Sequence, residues 1–147
     1  MVHKLIEFIK NQIPNREIKD ILLVGSRAGG WHKNGSDYDL RIIMNDDELP
    51  FQRGIPEKFH GKRVGMRSYP KDYNPHTHYY KGKYKLPAYS LMTNTFYKGD
   101  EDDIVRFLKD RGVYGEDTAQ RLEKIHSYLR EKPSEFNYDG DWINLYP

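Results

Sequence analysis

Two aspartates and a Gly-Ser pair are the residues of this chain best suited to chemistry. Asp37 and Asp39 stand in Gly35-Ser-Asp-Tyr-Asp-Leu40, and Gly25-Ser26 ends the apolar run Ile21-Leu-Leu-Val24. Side chains two apart on a strand share a face, so both carboxylates point the same way. Two like charges held that close call for a cation between them, and hard oxygen donors suit Mg²⁺. Mg²⁺ held by only one or two carboxylates ordinarily shares its coordination with substrate phosphates. A Gly-Ser turn that opens a helix offers a hydroxyl and backbone N–H groups to phosphate oxygens. Together the segments predict a phosphate-and-metal site with Asp37 and Asp39 as the metal ligands. The plainer alternative for the two aspartates is a strand-entry cap or a turn after Gly35-Ser36.

The elements that must hold these residues are legible as periodicities. Leu5, Phe8 and Ile9 recur at helical spacing until Pro14, which predicts a helix over 3–13. Ile21–Val24 reads as a buried strand. Residues 38–44 alternate, with Leu40, Ile42 and Met44 on one face and Asp39, Arg41 and Ile43 on the other. Asn45-Asp46-Asp47 closes that strand as a turn, and residues 46–60, with Pro50, Gly54 and Pro56, read as irregular. A third strand is expected over 62–69, with Val64 and Met66 toward the core and Arg63, Gly65 and Arg67 toward the site.

Residues 70–87 read as a long basic and aromatic loop, and the pattern turns helical from Ala88. Asp100 is placed to cap a helix with Ile104, Phe107 and Leu108 as its apolar stripe and Gly112 beyond its end. A last helix is expected over 116–131, with Ala119, Leu122, Ile125 and Leu129 inward and Pro133 terminating it. The expected fold is α/β (α+β): a small mixed β-sheet with helices packed on it. It forms one domain over 1–147, made of a core (1–72), the loop (70–87), a helical part (88–132) and a polar tail (133–147).

Composition bounds the function. A chain of 147 residues fits one core. No run approaches the length of a membrane span, so no membrane partner is expected. The absence of cysteine removes disulfides and thiolate metal sites and fits a cytoplasmic protein. Charge is uneven: residues 53–85 hold nine Lys or Arg against two acids, and residues 99–147 hold seven against twelve. An electropositive middle beside an acidic end points to a phosphate-bearing partner, or to a solvated loop kept soluble by its lysines.

The wording Gly25-Ser26-Arg27-Ala28 followed by Ser36-Asp37-Tyr38-Asp39-Leu40 resembles the nucleotidyltransferase superfamily with the DNA polymerase β-like fold, closest to its minimal members. Leu86 through Asn94, followed by Lys98-Gly99-Asp100-Glu-Asp-Asp103-Ile104, is similar to the helical part of the abortive-infection type, with Gly99 intruding between lysine and aspartate. The resemblance implies a Mg²⁺-dependent transfer of a nucleotide from a nucleoside triphosphate, expected to be ATP. It implies nucleotide contacts by Gly25, Ser26, Arg27, Ser36 and Arg67, with Lys33, Asn94 and Lys98 as weaker candidates. It also implies a third carboxylate on a neighbouring strand, which Lys62–Tyr69 lacks. Arginine binds neither Mg²⁺ nor a proton, although it holds phosphate well. Asp72 could substitute if Pro70 bends the chain back, whereas Asp46 and Asp47 lie at the wrong end of their strand.

His76 and His78, among Tyr73, Tyr79, Tyr80 and Tyr84, could bind a transition metal, stack on bases, or simply belong to a solvated loop. The leading expectation is therefore a nucleotidyltransferase acting on RNA, a protein hydroxyl or a small molecule. The rival is a catalytically degenerate member that binds a nucleotide or nucleic acid as an antitoxin, nucleotide sponge or partner-binding module. A third reading is an RNA-binding module built on the Tyr/His/Lys loop.

Overall fold

Strand pairing, rather than helix packing, places Asp39. The computed structural model describes residues 2–48, 51–74, 80–93, 95–97 and 99–131. In chain order the elements are α1 (Val2–Gln12), β1 (Ile18–Val24), α2 (Gly25–Gly29), β2 (Tyr38–Met44), β3 (Gln52–Gly54) and β4 (Val64–Tyr69). They are followed by β5 (Tyr80–Lys81), β6 (Tyr84–Lys85), β7 (Ala88–Ser90), β8 (Thr95–Tyr97), α3 (Glu101–Asp110) and α4 (Glu116–Glu131).

Six strands form one mixed sheet in the order β3-β4-β2-β1-β7-β8, and β5 pairs with β6 separately. β2 runs parallel to β4, and every other pairing in the large sheet is antiparallel. Alternation along β1 and β2 gives the sheet two apolar faces. Ile21, Leu23, Tyr38, Leu40, Ile42 and Met44 join Leu5, Ile9 and Ile13 from the α1 segment in one core. Leu22, Val24 and Ile43 join Ile104, Phe107 and Leu108 of α3 and Leu122 of α4 in the other. Asp39 and Arg41 share that second face, so the Asp39 carboxylate opens toward α3.

The α3 start follows its predicted chemistry. The Asp100 carboxylate accepts the Asp103 N–H at 3.0 Å, and three acids occupy the first turn, where the helix dipole favours them. Asp103 also accepts the Lys85 N–H at 3.0 Å, which ties α3 to β6; that backbone bond, with Arg106 adding to it, holds the Asp103 carboxyl below its usual range.

Three expectations change. Residues 52–54, expected to be irregular, form an edge strand on β4. The expected loop contains the β5–β6 pair, with Gly82 at φ 62° between the strands. Residues 88–90 and 95–97, expected to be helical, are strands; Leu22 and Leu23 of β1 pair with Ser90 and Tyr89. Leu91 and Met92, which favour helix, fall in the turn, whereas Tyr89, Thr95, Phe96 and Tyr97 suit a strand, and the backbone groups on the open side of β1 require partners. The abortive-infection resemblance therefore fails in its helix over 86–94. Gly99 also has a packing reason, since a Cβ there would lie 2.7 Å from the Leu86 carbonyl carbon. His76, His78, Tyr79, Asn94, Lys98 and the tail from 133 lie outside the described residues. Among the described residues no helix is long and apolar enough to cross a membrane.

Candidate nucleotide and metal site

The Gly-Ser turn and the acidic strand meet because β1 and β2 are antiparallel neighbours. Val24 registers with Asp39, so the end of β1 delivers Gly25 beside that carboxylate. Gly25 adopts φ 72°, which glycine alone takes at little cost. The close approach requires glycine as well: a Cβ at Gly25 would sit 2.5 Å from Asp39 Oδ2. Ser26 then begins α2, whose turn is closed by the Gly30 N–H donating to the Ser26 carbonyl at 2.8 Å. Asp37 and Asp39 are both exposed.

The residues around Asp37 are pinned by a buried cation. Arg27 is 3% exposed, and its Nε and Nη2 donate to the Ser36 carbonyl at 3.1 and 2.9 Å. Its guanidinium lies 4.4 Å from the centre of the Tyr38 ring. Burial pushes the Tyr38 phenol above its usual range, and the neighbouring Arg27 opposes that shift. The Ser36 hydroxyl accepts the Lys33 N–H at 2.8 Å, and the Ser36 N–H returns a bond to the Lys33 carbonyl at 3.0 Å. On the other side of Asp37, the Tyr38 N–H donates to the Arg63 carbonyl at 2.8 Å. Arg27 and Ser36, both expected to contact the nucleotide, are here engaged with the turn itself. A long cation facing inward satisfies the loop carbonyl and stacks on Tyr38, so both residues shape the turn that presents Asp37.

The parallel pairing of β2 with β4 answers what stands opposite the acids. Asp39 registers with Gly65, and Arg41 with Arg67. A Cβ at Gly65 would meet nothing nearer than Asp39 Oδ1, at 4.0 Å. The position opposite Asp39 therefore carries neither a carboxylate nor an arginine. Asp72 does not substitute. It follows Tyr69, which registers with Ile43, four residues or ~13 Å along the strand from Asp39. There it borders a separate cavity of about 460 Å³ with Asp46, Asp47 and Glu48. Asp46 is taken up by Arg16 at 2.8 Å, and that hydrogen-bonded pairing lowers its carboxyl to about 2. No group of three or more potential metal ligands exists among the described residues.

Farther along the same face, Arg41 Nη1 donates to the Tyr73 hydroxyl at 2.8 Å, and its guanidinium lies 5.0 Å from the Tyr69 ring centre. Exposed Arg67 donates to Gln52 on β3, which leaves its charge at the solvent edge of the site face.

Sequence patterns missed one wall of the site. A cavity of about 270 Å³ is lined by Gly25, Ser26 and Asp39 together with Trp31, Leu86, Phe107 and Arg111. Phe107 read only as a core residue, and no spacing rule links Trp31 or Arg111 to the acids. The α3 helix brings them together, with Trp31 and Phe107 ring centres 6.2 Å apart. Arg121 of α4 donates to the His32 carbonyl and holds the segment after α2 in place.

Two exposed carboxylates beside glycines are a donor set for a hard cation that shares its coordination with phosphate oxygens. They do not make a complete protein cage, so a ligand would have to supply the remaining oxygens. No curated protein matches the chain. A family profile described as a nucleotidyltransferase domain matches residues 2–132, and hence both half-motifs and the α3 wall. Covering most of the sequence, that match shows that the chain belongs to the nucleotidyltransferase domain family.

Proposed function

We propose that this chain is a Mg²⁺-dependent nucleotidyltransferase that takes a nucleotide from a nucleoside triphosphate, ATP in the first instance, and passes it to a hydroxyl acceptor. The observation that carries the proposal is the seating of Asp39 against Gly25 in a cavity that also contains Ser26. Asp37 and Asp39 would hold Mg²⁺, which when bound neutralises charge on the phosphate oxygens. The Ser26 hydroxyl, with the turn backbone around Gly25, binds the β- and γ-phosphates. The acceptor oxygen attacks the α-phosphorus, the bond to pyrophosphate breaks, and pyrophosphate leaves. Because Gly65 supplies no acid, Asp39 is the carboxylate left on that side to receive the hydroxyl proton.

The basic face, with exposed Arg63 and Arg67 on either side of Gly65, supports RNA or another phosphorylated acceptor; a protein hydroxyl is the second choice. The acceptor would be met in the cytoplasm. Incubation with α-labelled ATP, Mg²⁺ and candidate RNA or protein acceptors tests the proposal. Label should transfer, and Asp37→Ala or Asp39→Ala should abolish transfer. One rival, a member that binds a nucleotide or nucleic acid without catalysis, is motivated by the acid-free β4 strand. Calorimetry separates the two: tight ATP binding indifferent to Mg²⁺ and to Asp37→Ala, with no transfer to any acceptor, would replace the enzyme by the binder.

A further inference from the structure

The cavity beside Asp39 has two unlike walls. One presents Ser26 and Asp39; the other presents Trp31, Leu86, Phe107 and Arg111. Its volume of about 270 Å³ is below that of most pockets which enclose a whole small-molecule ligand, so it accommodates one end of a nucleotide. Ser26 and Asp39 make that the phosphate end.

A polyphosphate entering beside Asp37 and Asp39 brings more negative charge than one divalent cation offsets. Arg27 is buried beneath the turn with its guanidinium on the Ser36 carbonyl. Arg111 is the cation that lines the cavity. Its side chain is exposed and has no acidic partner among the described residues. The guanidinium carbon lies 5.2 Å from the centre of the Phe107 ring, so a cation–π contact seats the group before any ligand arrives. The Phe107 ring covers one face of it, and Trp31 and Leu86 line the same cavity. A guanidinium offers paired donors that match two phosphate oxygens.

We propose that Arg111 binds the terminal phosphates of the nucleoside triphosphate and neutralises the pyrophosphate as it leaves. This assignment rests on the nucleotidyltransferase reading above and adds to it a binding residue contributed by the helical half of the chain.

Calorimetric titration of the full chain with Mg²⁺-ATP and with Mg²⁺-tripolyphosphate, which lacks base and sugar, tests the assignment. Arg111→Ala should weaken both probes by about 10-fold to 100-fold, the loss expected for a charge-assisted pair. Arg111→Lys, which keeps the charge without the fork, should recover part of the loss for both. Unchanged affinity in Arg111→Ala, or loss confined to ATP, overturns the assignment while leaving the nucleotide site intact. Failure of the unaltered chain to bind tripolyphosphate while it binds ATP also overturns it. Failure to bind either probe removes both this assignment and the nucleotidyltransferase reading. A thermal melt of each variant checks folding, and exposed Arg111 should shift it little.

Discussion

Gly65→Asp would place a third carboxylate where the sheet leaves none. The register sets Gly65 opposite Asp39, and the new Cβ would stand 4.0 Å from Asp39 Oδ1, an ordinary contact. No positive φ opposes the change. Neighbouring strands are ~4.8 Å apart, which puts the added carboxylate about 5 Å from that of Asp39. Coulomb's law then gives about 0.8 kcal/mol of repulsion in bulk water and about 3 kcal/mol at an effective dielectric constant near 20. Asp39 is exposed, so the lower end applies, and about 1 kcal/mol is expected without metal. For a chain of this size that is a fall of roughly 2–4 °C in melting temperature.

Mg²⁺ should reverse the fall, because three carboxylates hold a hard cation better than two. Thermal melts in chelator and in excess Mg²⁺ read this directly. Gly65→Ala is the control, since it adds the same Cβ without the charge and should melt close to the unaltered protein. Should Gly65→Asp and Gly65→Ala melt alike in chelator and gain equally from Mg²⁺, the reasoning about a metal pair at Asp37 and Asp39 would be refuted. Transfer from α-labelled ATP should rise in Gly65→Asp if the missing acid limits the reaction.

Gly25→Ala forces a side chain into φ 72° and against Asp39 Oδ2, so Mg²⁺-ATP binding should fall by more than the ~1–2 kcal/mol lost from stability; calorimetry beside thermal melts compares the two losses, and unaltered binding would contradict the packing. Arg27→Ala strips two charge-assisted bonds from the Ser36 carbonyl and should cost about 3 kcal/mol in urea denaturation, where a loss under ~1 kcal/mol would show that the clamp is dispensable. Burial, against the opposing bonds from Ser90 and the Ile21 backbone, raises the Asp20 carboxyl above its ordinary value. A raised folded-state value means that ionised Asp20 costs stability, a cost absent below the unfolded value of 3.8 and complete once pH exceeds the folded one. Asp20→Asn should accordingly stabilise the protein at neutral pH and lose its advantage as pH falls toward that value; an advantage that does not change with pH would contradict the burial argument.

Local residue order determined a good deal. The period-2 alternation of 38–44 and the apolar run before Gly25 were sufficient to place Asp39 near the start of a strand, beside the glycine turn that ends β1. Asp100, the apolar stripe of α3 and Gly112 marked a helix whose cap and core face the structure reproduces. These features depend on neighbours within a few positions, and short-range sterics and capping decide them.

Long-range pairing decided the rest. Residues 88–90 and 95–97 lie in a segment read as turning helical, yet they became strands because the open side of β1, and then of β7, needed partners. Arg27 is written beside the glycine turn like a phosphate ligand, and only packing shows its guanidinium turned inward beneath Ser36. The parallel register of β2 with β4 put Gly65, rather than an acid or an arginine, across from Asp39. Trp31 stands far in the chain from Phe107 and Arg111, and the three became one wall only when α3 settled on the sheet. Alternation tells which face a side chain takes, but register and layer packing are properties of whole elements. They are set by the backbone groups that must be paired and the apolar faces that must be covered, and no local segment contains that information.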